Sequence, residues 1–144
     1  MRRWRWHRVS YSACMTLHLQ IDGRAITGID SLYAEFNRVF MAGENWQLGP
    51  SLDALDDLLH GDYGVLAGHD RATVIWGDIE HSRAALGRTT TCQWLQSKLE
   101  APGTFNRRTI ALQLDALQRG QGQTYFGIVM EIFASHRQIT LVPA

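Results

Sequence analysis

The residues best suited to chemistry lie in one short stretch, 49–64, which reads GPSLDALDDLLHGDYG. Asp53 and Asp57 are four apart, so a helix places both carboxylates on one face, and Asp56, three after Asp53, borders them. Leu52, Leu55 and Leu59 fall on the opposite face and Leu58 widens that stripe. The expected element packs by its leucines and displays Asp53, Asp56 and Asp57 outward. Like charges one turn apart repel by a few tenths of a kcal/mol, roughly. The positive N-terminal end of the helix relieves Asp53 more than Asp57. Paired carboxylates can do acid/base work, but only in a cleft that separates their pKa values, and an outward face supplies none. His60 reads as a charge at the helix C-terminus rather than a base, and Gly61 as the stop. The plain alternative is an acidic surface helix with no partner.

Other chemical signals are sparse. His69-Asp70 forms a pair of the kind metal phosphohydrolases use, with His81 nearby, but it sits in a polar loop without further ligands. A small Asp/His metal-dependent phosphohydrolase is therefore the enzyme alternative, not the expectation. No GxSxG, phosphate-binding loop or GxGxxG is present. The two cysteines, Cys14 and Cys92, form no CxxC or zinc-spaced set. We expect no metal, no cofactor and no structural disulfide, which suits a reducing cytoplasm.

The elements that position this stretch alternate in type. Residues 16–21 (TLHLQI) alternate apolar and polar side chains before a turn at Asp22-Gly23, so they read as a strand. Ile29, Tyr33, Phe36, Val39 and Phe40 recur at helical spacing, with Asp30 or Ser31 as cap and Gly43 as stop. Gly49-Pro50 restarts a helix, with proline at its first position, that runs to about His60. Residues 72–76 (ATVIW) read as a strand buried on both faces, and 80–86 as a helical turn. Trp94, Leu95 and Leu99 mark a short helix, and Ile110, Leu114 and Leu117 another, ending at Gly120. Residues 125–136 form the last helix and 139–142 (ITLV) the last strand. Strands separated by helices imply an α/β fold with a small parallel sheet.

The chain has 144 residues, enough for one domain with a core of its own. With 45% hydrophobic and 19% charged residues it is globular rather than disordered, and no apolar run reaches the ~20 residues of a membrane span. The net charge of zero hides an asymmetry. Arg2, Arg3, Arg5 and Arg8 lie in the first fourteen residues, whereas residues 44–78 hold seven carboxylates against Arg71 alone. An acidic concentration of that kind suits a cationic partner. The start, MRRWRWHRVSYSAC, has no apolar core for a secretory signal. Its Arg/Trp alternation could touch RNA or a membrane surface. We read residues 1–14 as a disordered or artefactual basic leader, with Met15 the natural start and 15–144 the domain.

The run Leu52-Asp53-Ala54-Leu55-Asp56-Asp57-Leu58-Leu59, followed by Gly61, resembles the second helix of the barstar family, intracellular inhibitors of barnase-type ribonucleases. The order around it agrees. Ile21-Asp22-Gly23 closes a first strand, a helix begins Ile29-Asp30-Ser31-Leu32, a later strand ends in Trp76, and Ile139-Thr140-Leu141 closes the chain. The resemblance covers roughly 15–87 and 125–144. It implies a three-stranded parallel sheet flanked by helices, with 88–124 a helical insertion. It also implies a non-catalytic protein whose acidic helix fills the active site of a small basic secreted ribonuclease, carboxylates standing in for RNA phosphates. Matched residue by residue, Asp53 and Asp57 are the carboxylates that enter the nuclease, Asp57 centrally, and His60 and Gly61 border the contact. Glu131 matches an outer acidic contact. Asp56 stands where the family pattern carries an aromatic residue, and the paired tyrosines expected before the helix are missing, leaving Trp46 as the aromatic candidate. The resemblance implies a partner that is a barnase-type ribonuclease or related basic nuclease toxin, no direct contact with nucleic acid or membrane, and a monomer when free. An immunity or adaptor protein for a different toxin is the alternative.

Overall fold

The computed structural model describes residues 16–101, 103 and 106–144. The basic leader 1–14 and Met15 lie outside the described residues. Three strands, β1 (Leu17–Asp22), β2 (Ala72–Gly77) and β3 (Ile139–Pro143), form one sheet in the order β1-β2-β3. Both pairings are parallel, with Leu19 opposite Val74 and Val74 opposite Leu141. Parallel neighbours need long crossovers, and helices supply them. Helices α1 (Ile29–Phe40) and α2 (Leu52–His60) join β1 to β2. Helices α3 (Ile79–Ala85), α4 (Arg88–Glu100), α5 (Arg107–Gln118) and α6 (Tyr125–Ser135) join β2 to β3. The α/β class and the three-stranded parallel sheet expected from the sequence are what the chain forms.

The core sits on one side of the sheet. Trp76, on the inward face of β2, meets Phe36 of α1 at 6.1 Å and Phe126 and Phe133 of α6 at 6.1 and 5.9 Å, all edge to face. Its indole N–H donates to Ser82 Oγ (2.9 Å), which donates to the Gly23 carbonyl (3.1 Å). The expectation that β2 is buried on both faces is corrected. Ala72, Val74 and Trp76 are buried, but Thr73 and Ile75 are only half-buried, because the aromatic helices pack on one face. Tyr33 of α1 and Tyr125 of α6 share a buried hydroxyl–hydroxyl bond of 2.7 Å. Burial first, then that bond and the neighbouring phenol, pushes the Tyr33 hydroxyl well above its usual pKa.

Of the two helix starts, α1 uses Ser31 of the two expected candidates, and α2 starts at Leu52 rather than at Pro50. The N-cap of α1 is Gly28, and Ser31 serves it from the third helical position by accepting from the Gly28 (3.0 Å) and Thr27 (2.7 Å) N–H groups. The N-cap of α2 is Ser51, whose Oγ accepts from Ala54 N–H (3.0 Å), so Pro50 lies outside the helix. In both places a serine hydroxyl satisfies free backbone donors, which neither Asp30 nor Pro50 does here. Helix α1 ends at Phe40, three residues before Gly43.

Residues 88–124 carry α4 and α5. Leu95, Ile110 and Leu117 form a small apolar cluster of their own. Trp94 meets Tyr125 edge to face at 4.8 Å, and Thr91 Oγ1 accepts from Tyr125 N–H (2.7 Å), which fastens α4 to the main core.

The Ile-Asp-Gly sequence at the end of β1 has a steric cause. A Cβ on the buried Gly23 would stand 2.2 Å from the Gly77 carbonyl oxygen and 2.5 Å from that of Asp78. Beside it, the buried Glu35 carboxylate accepts from Asp22 N–H (2.7 Å) and from the Arg38 guanidinium at 2.8 and 2.5 Å. Burial pushes this carboxyl up, but Arg38 and the Asp22 N–H outweigh burial and hold it below the ordinary carboxylate range. A folded pKa below the unfolded value stabilises the fold above that unfolded value. The contribution fades as pH falls through the lowered folded value. Glu35→Gln is expected to lower stability at neutral pH. It should also flatten the loss of stability between about pH 5 and pH 2, read from urea midpoints across that range.

Candidate protein-binding surface

Helix α2 is oriented by what it buries. Leu55, Leu58 and Leu59 are completely removed from water, each worth about 1.5–3 kcal/mol. Gly61 caps the C-terminus in the left-handed conformation (φ 86°), its N–H donating to the Leu58 carbonyl. The Gln138 side-chain amide, just before β3, donates to the Leu59 carbonyl (2.8 Å). With the leucines down, Asp53 and Asp57 are exposed, as their spacing predicts.

The flanking loops are tied to the same body. The Asn37 side chain clamps Leu48, accepting its N–H (2.7 Å) and donating to its carbonyl (3.3 Å). Glu44 accepts from Gly64 N–H (2.9 Å), joining the segment before α2 to the segment after it. That bridge brings Trp46 and Tyr63 together, ring centroids 4.8 Å apart, with Trp46 still 45% exposed. Sequence reasoning had Trp46 and missed Tyr63, whose partner is seventeen positions away. Tyr63 lies beside the acidic face. Burial first, and then the charges of Asp57 and Asp62, push its phenol above the ordinary tyrosine range.

The expected ridge of three carboxylates is a ridge of two. Asp57 makes no hydrogen bond or ion pair with any described residue. Asp53 is exposed, and its charge acts on Lys98 of α4, whose ammonium lies 4.1 Å from the Trp94 ring. Burial pulls the Lys98 pKa down and Asp53 opposes that pull. Asp56 is turned aside. Its Oδ1 bonds His136 Nε2 at 2.7 Å and its Oδ2 lies 3.7 Å from His60 Nε2. His60 is exposed, and its ring stands edge to face on His136 at 4.8 Å. Glu131 is exposed on α6, and no described hydrogen bond or ion pair joins it to the aspartates. His69, Asp70 and His81 do not converge with one another as a ligand set.

A helix with exposed carboxylates on one face, anchored leucines on the other and an aromatic pair beside it lies between β1 and β2 of a three-stranded parallel sheet. The model of the family Barstar (barnase inhibitor) matches residues 16–116. The chain belongs to the barstar family. The match includes β1, α2, β2 and the Trp46–Tyr63 pair, and runs through α4 into α5. All of α6, His136 and β3 lie beyond it. No curated protein matches the chain. Among the described residues, no helix is long and apolar enough to cross a membrane.

If the Asp57 charge raises the Tyr63 pKa as its position requires, Asp57→Asn should move that pKa toward 10, the ordinary phenol value. NMR of ring-labelled tyrosine across an alkaline titration measures the change, and an unmoved Tyr63 would contradict the placement.

Proposed function

We propose that this barstar-family chain inhibits a small basic ribonuclease by filling its active site with α2. The observation that carries the reading is Asp57, an exposed carboxylate with no described ion-pair partner on a helix that cannot rotate. A ribonuclease gathers Arg, Lys and His to hold phosphate. A carboxylate satisfies the same donors through short charge-assisted bonds. Because α2 is already locked by its leucines, little order is lost on binding. Asp57 is the central contact and Asp53 the second. Trp46 and Tyr63 supply rigid apolar area at the margin, and His60, Gly61 and Glu131 border it. Asp56 contributes to the local negative field while its oxygens are held by His136 and His60.

In this reading residues 15–144 are one domain, and 88–124 a helical insertion whose Lys98 tempers the charge of Asp53. The protein acts as a monomer inside the cell and performs no catalysis. Opposite fields steer the encounter, so the partner is cationic.

The test uses barnase as the probe nuclease, with ribonuclease activity captured from extracts as the second arm. The purified chain is expected to inhibit stoichiometrically. Asp57→Ala should weaken inhibition by about a hundredfold or more, the effect of leaving the nuclease cations unpaired by about 3 kcal/mol. Its thermal stability should stay within about 0.5 kcal/mol, as for an exposed site. Association should slow as salt rises. Failure to inhibit barnase together with failure to capture any ribonuclease would overturn the reading, as would an Asp57→Ala variant that inhibits like wild type.

A further inference from the structure

The C-terminal end of α2 holds a second arrangement, set apart from the central contacts Asp53 and Asp57. Asp56, His60 and His136 each offer one ligand atom, and these atoms all lie within 4.8 Å of one another. We propose that they form a binding site for one divalent transition ion of the zinc class.

Two imidazole nitrogens and a carboxylate oxygen are a donor set that suits zinc and neighbouring ions over magnesium or calcium, which prefer oxygen alone. Around a tetrahedral zinc, donors about 2.0–2.1 Å from the metal stand about 3.3 Å from one another. The pairs here are 2.7 Å (Asp56 Oδ1–His136 Nε2) and 3.7 Å (Asp56 Oδ2–His60 Nε2), measured to the two oxygens of one carboxylate, and one donor atom of each residue lies within 4.8 Å of the other two. In the proposed site the exposed His60 ring moves in to complete that spacing. A fourth position is left for water.

The backbone holds the donors in place beforehand. Asp56 and His60 are one helical turn apart and share a face. His136 is 6% exposed, and its own peptide is fixed at both ends: its N–H donates to Phe133 and its carbonyl accepts from Ile139. The Gln138 amide bonded to Leu59 keeps this corner closed on the helix end. The electrostatics favour a cation too. The site lies at the negative end of the α2 dipole, next to the exposed charge of Asp57. The direct Asp56–His136 bond holds the donors together until an ion replaces it.

The test uses the full chain alone, so its outcome is separate from that of the inhibitor reading. Zn²⁺ is titrated against a chromophoric chelator, Co²⁺ serves as the spectroscopic probe, and thermal unfolding is followed with and without Zn²⁺. Binding of a single ion is expected, with a melting temperature that rises with Zn²⁺ concentration. The Co²⁺ spectrum should be that of a low-coordinate nitrogen/oxygen site without a thiolate band. Asp56→Asn and His60→Gln should each weaken affinity by about tenfold or more. His60 is exposed, so His60→Gln separates ligand loss from misfolding. Cys92→Ser should bind as wild type does. No saturable binding, equal affinity in His60→Gln and the wild type, or a thiolate band that disappears in Cys92→Ser or Cys14→Ser would each overturn the proposal.

Discussion

The burial of three leucines from one short helix decides how this surface is built. Leu55, Leu58 and Leu59 reach no solvent, and together they leave α2 one orientation on the aromatic core. A helix nine residues long has little stability alone, so that packing both forms it and aims it. Asp53 and Asp57 then face water, because the leucines hold the opposite side of the helix down. Repulsion between Asp53 and Asp57 is small beside the burial on the opposite side.

The loops around α2 depend on the same anchoring. Asn37 holds Leu48 from the flank of α1, and Glu44 ties the chain before the helix to the chain after it. Two polar contacts therefore place Trp46 against Tyr63 beside the acidic face. Each acidic residue nearby has a different task. Glu35 is buried and paired with Arg38, and Glu44 is a backbone acceptor. Asp56 is engaged by histidines, Asp53 feels Lys98, and Asp57 faces solvent. Counting charge over 44–78 finds the negative field but cannot sort these roles.

Much of the fold was legible because its signals are local. The apolar stripe of α1, the leucine face of α2, the alternation of β1 and the Gly61 stop are all read within a few residues of where they act. For α1 the sequence offers Asp30 or Ser31, and the path of the incoming chain selects Ser31; for α2 it points to Pro50 at the first position, whereas Ser51 is the cap. Strand β2 was read as doubly buried from its composition, yet helices cover only one of its faces.

From the sequence alone came the α/β order, the acidic helix and the outward direction of Asp53 and Asp57, since periodicity within one helix dictates them. Tertiary structure decided the partners of the remaining side chains. His136 is eighty residues from Asp56, Lys98 lies forty-five beyond Asp53, and Tyr63 meets Trp46 across the helix. No spacing rule connects such positions. They meet because the parallel sheet and its crossovers bring distant elements against α2, and contact across a crossover depends on packing rather than on distance along the chain.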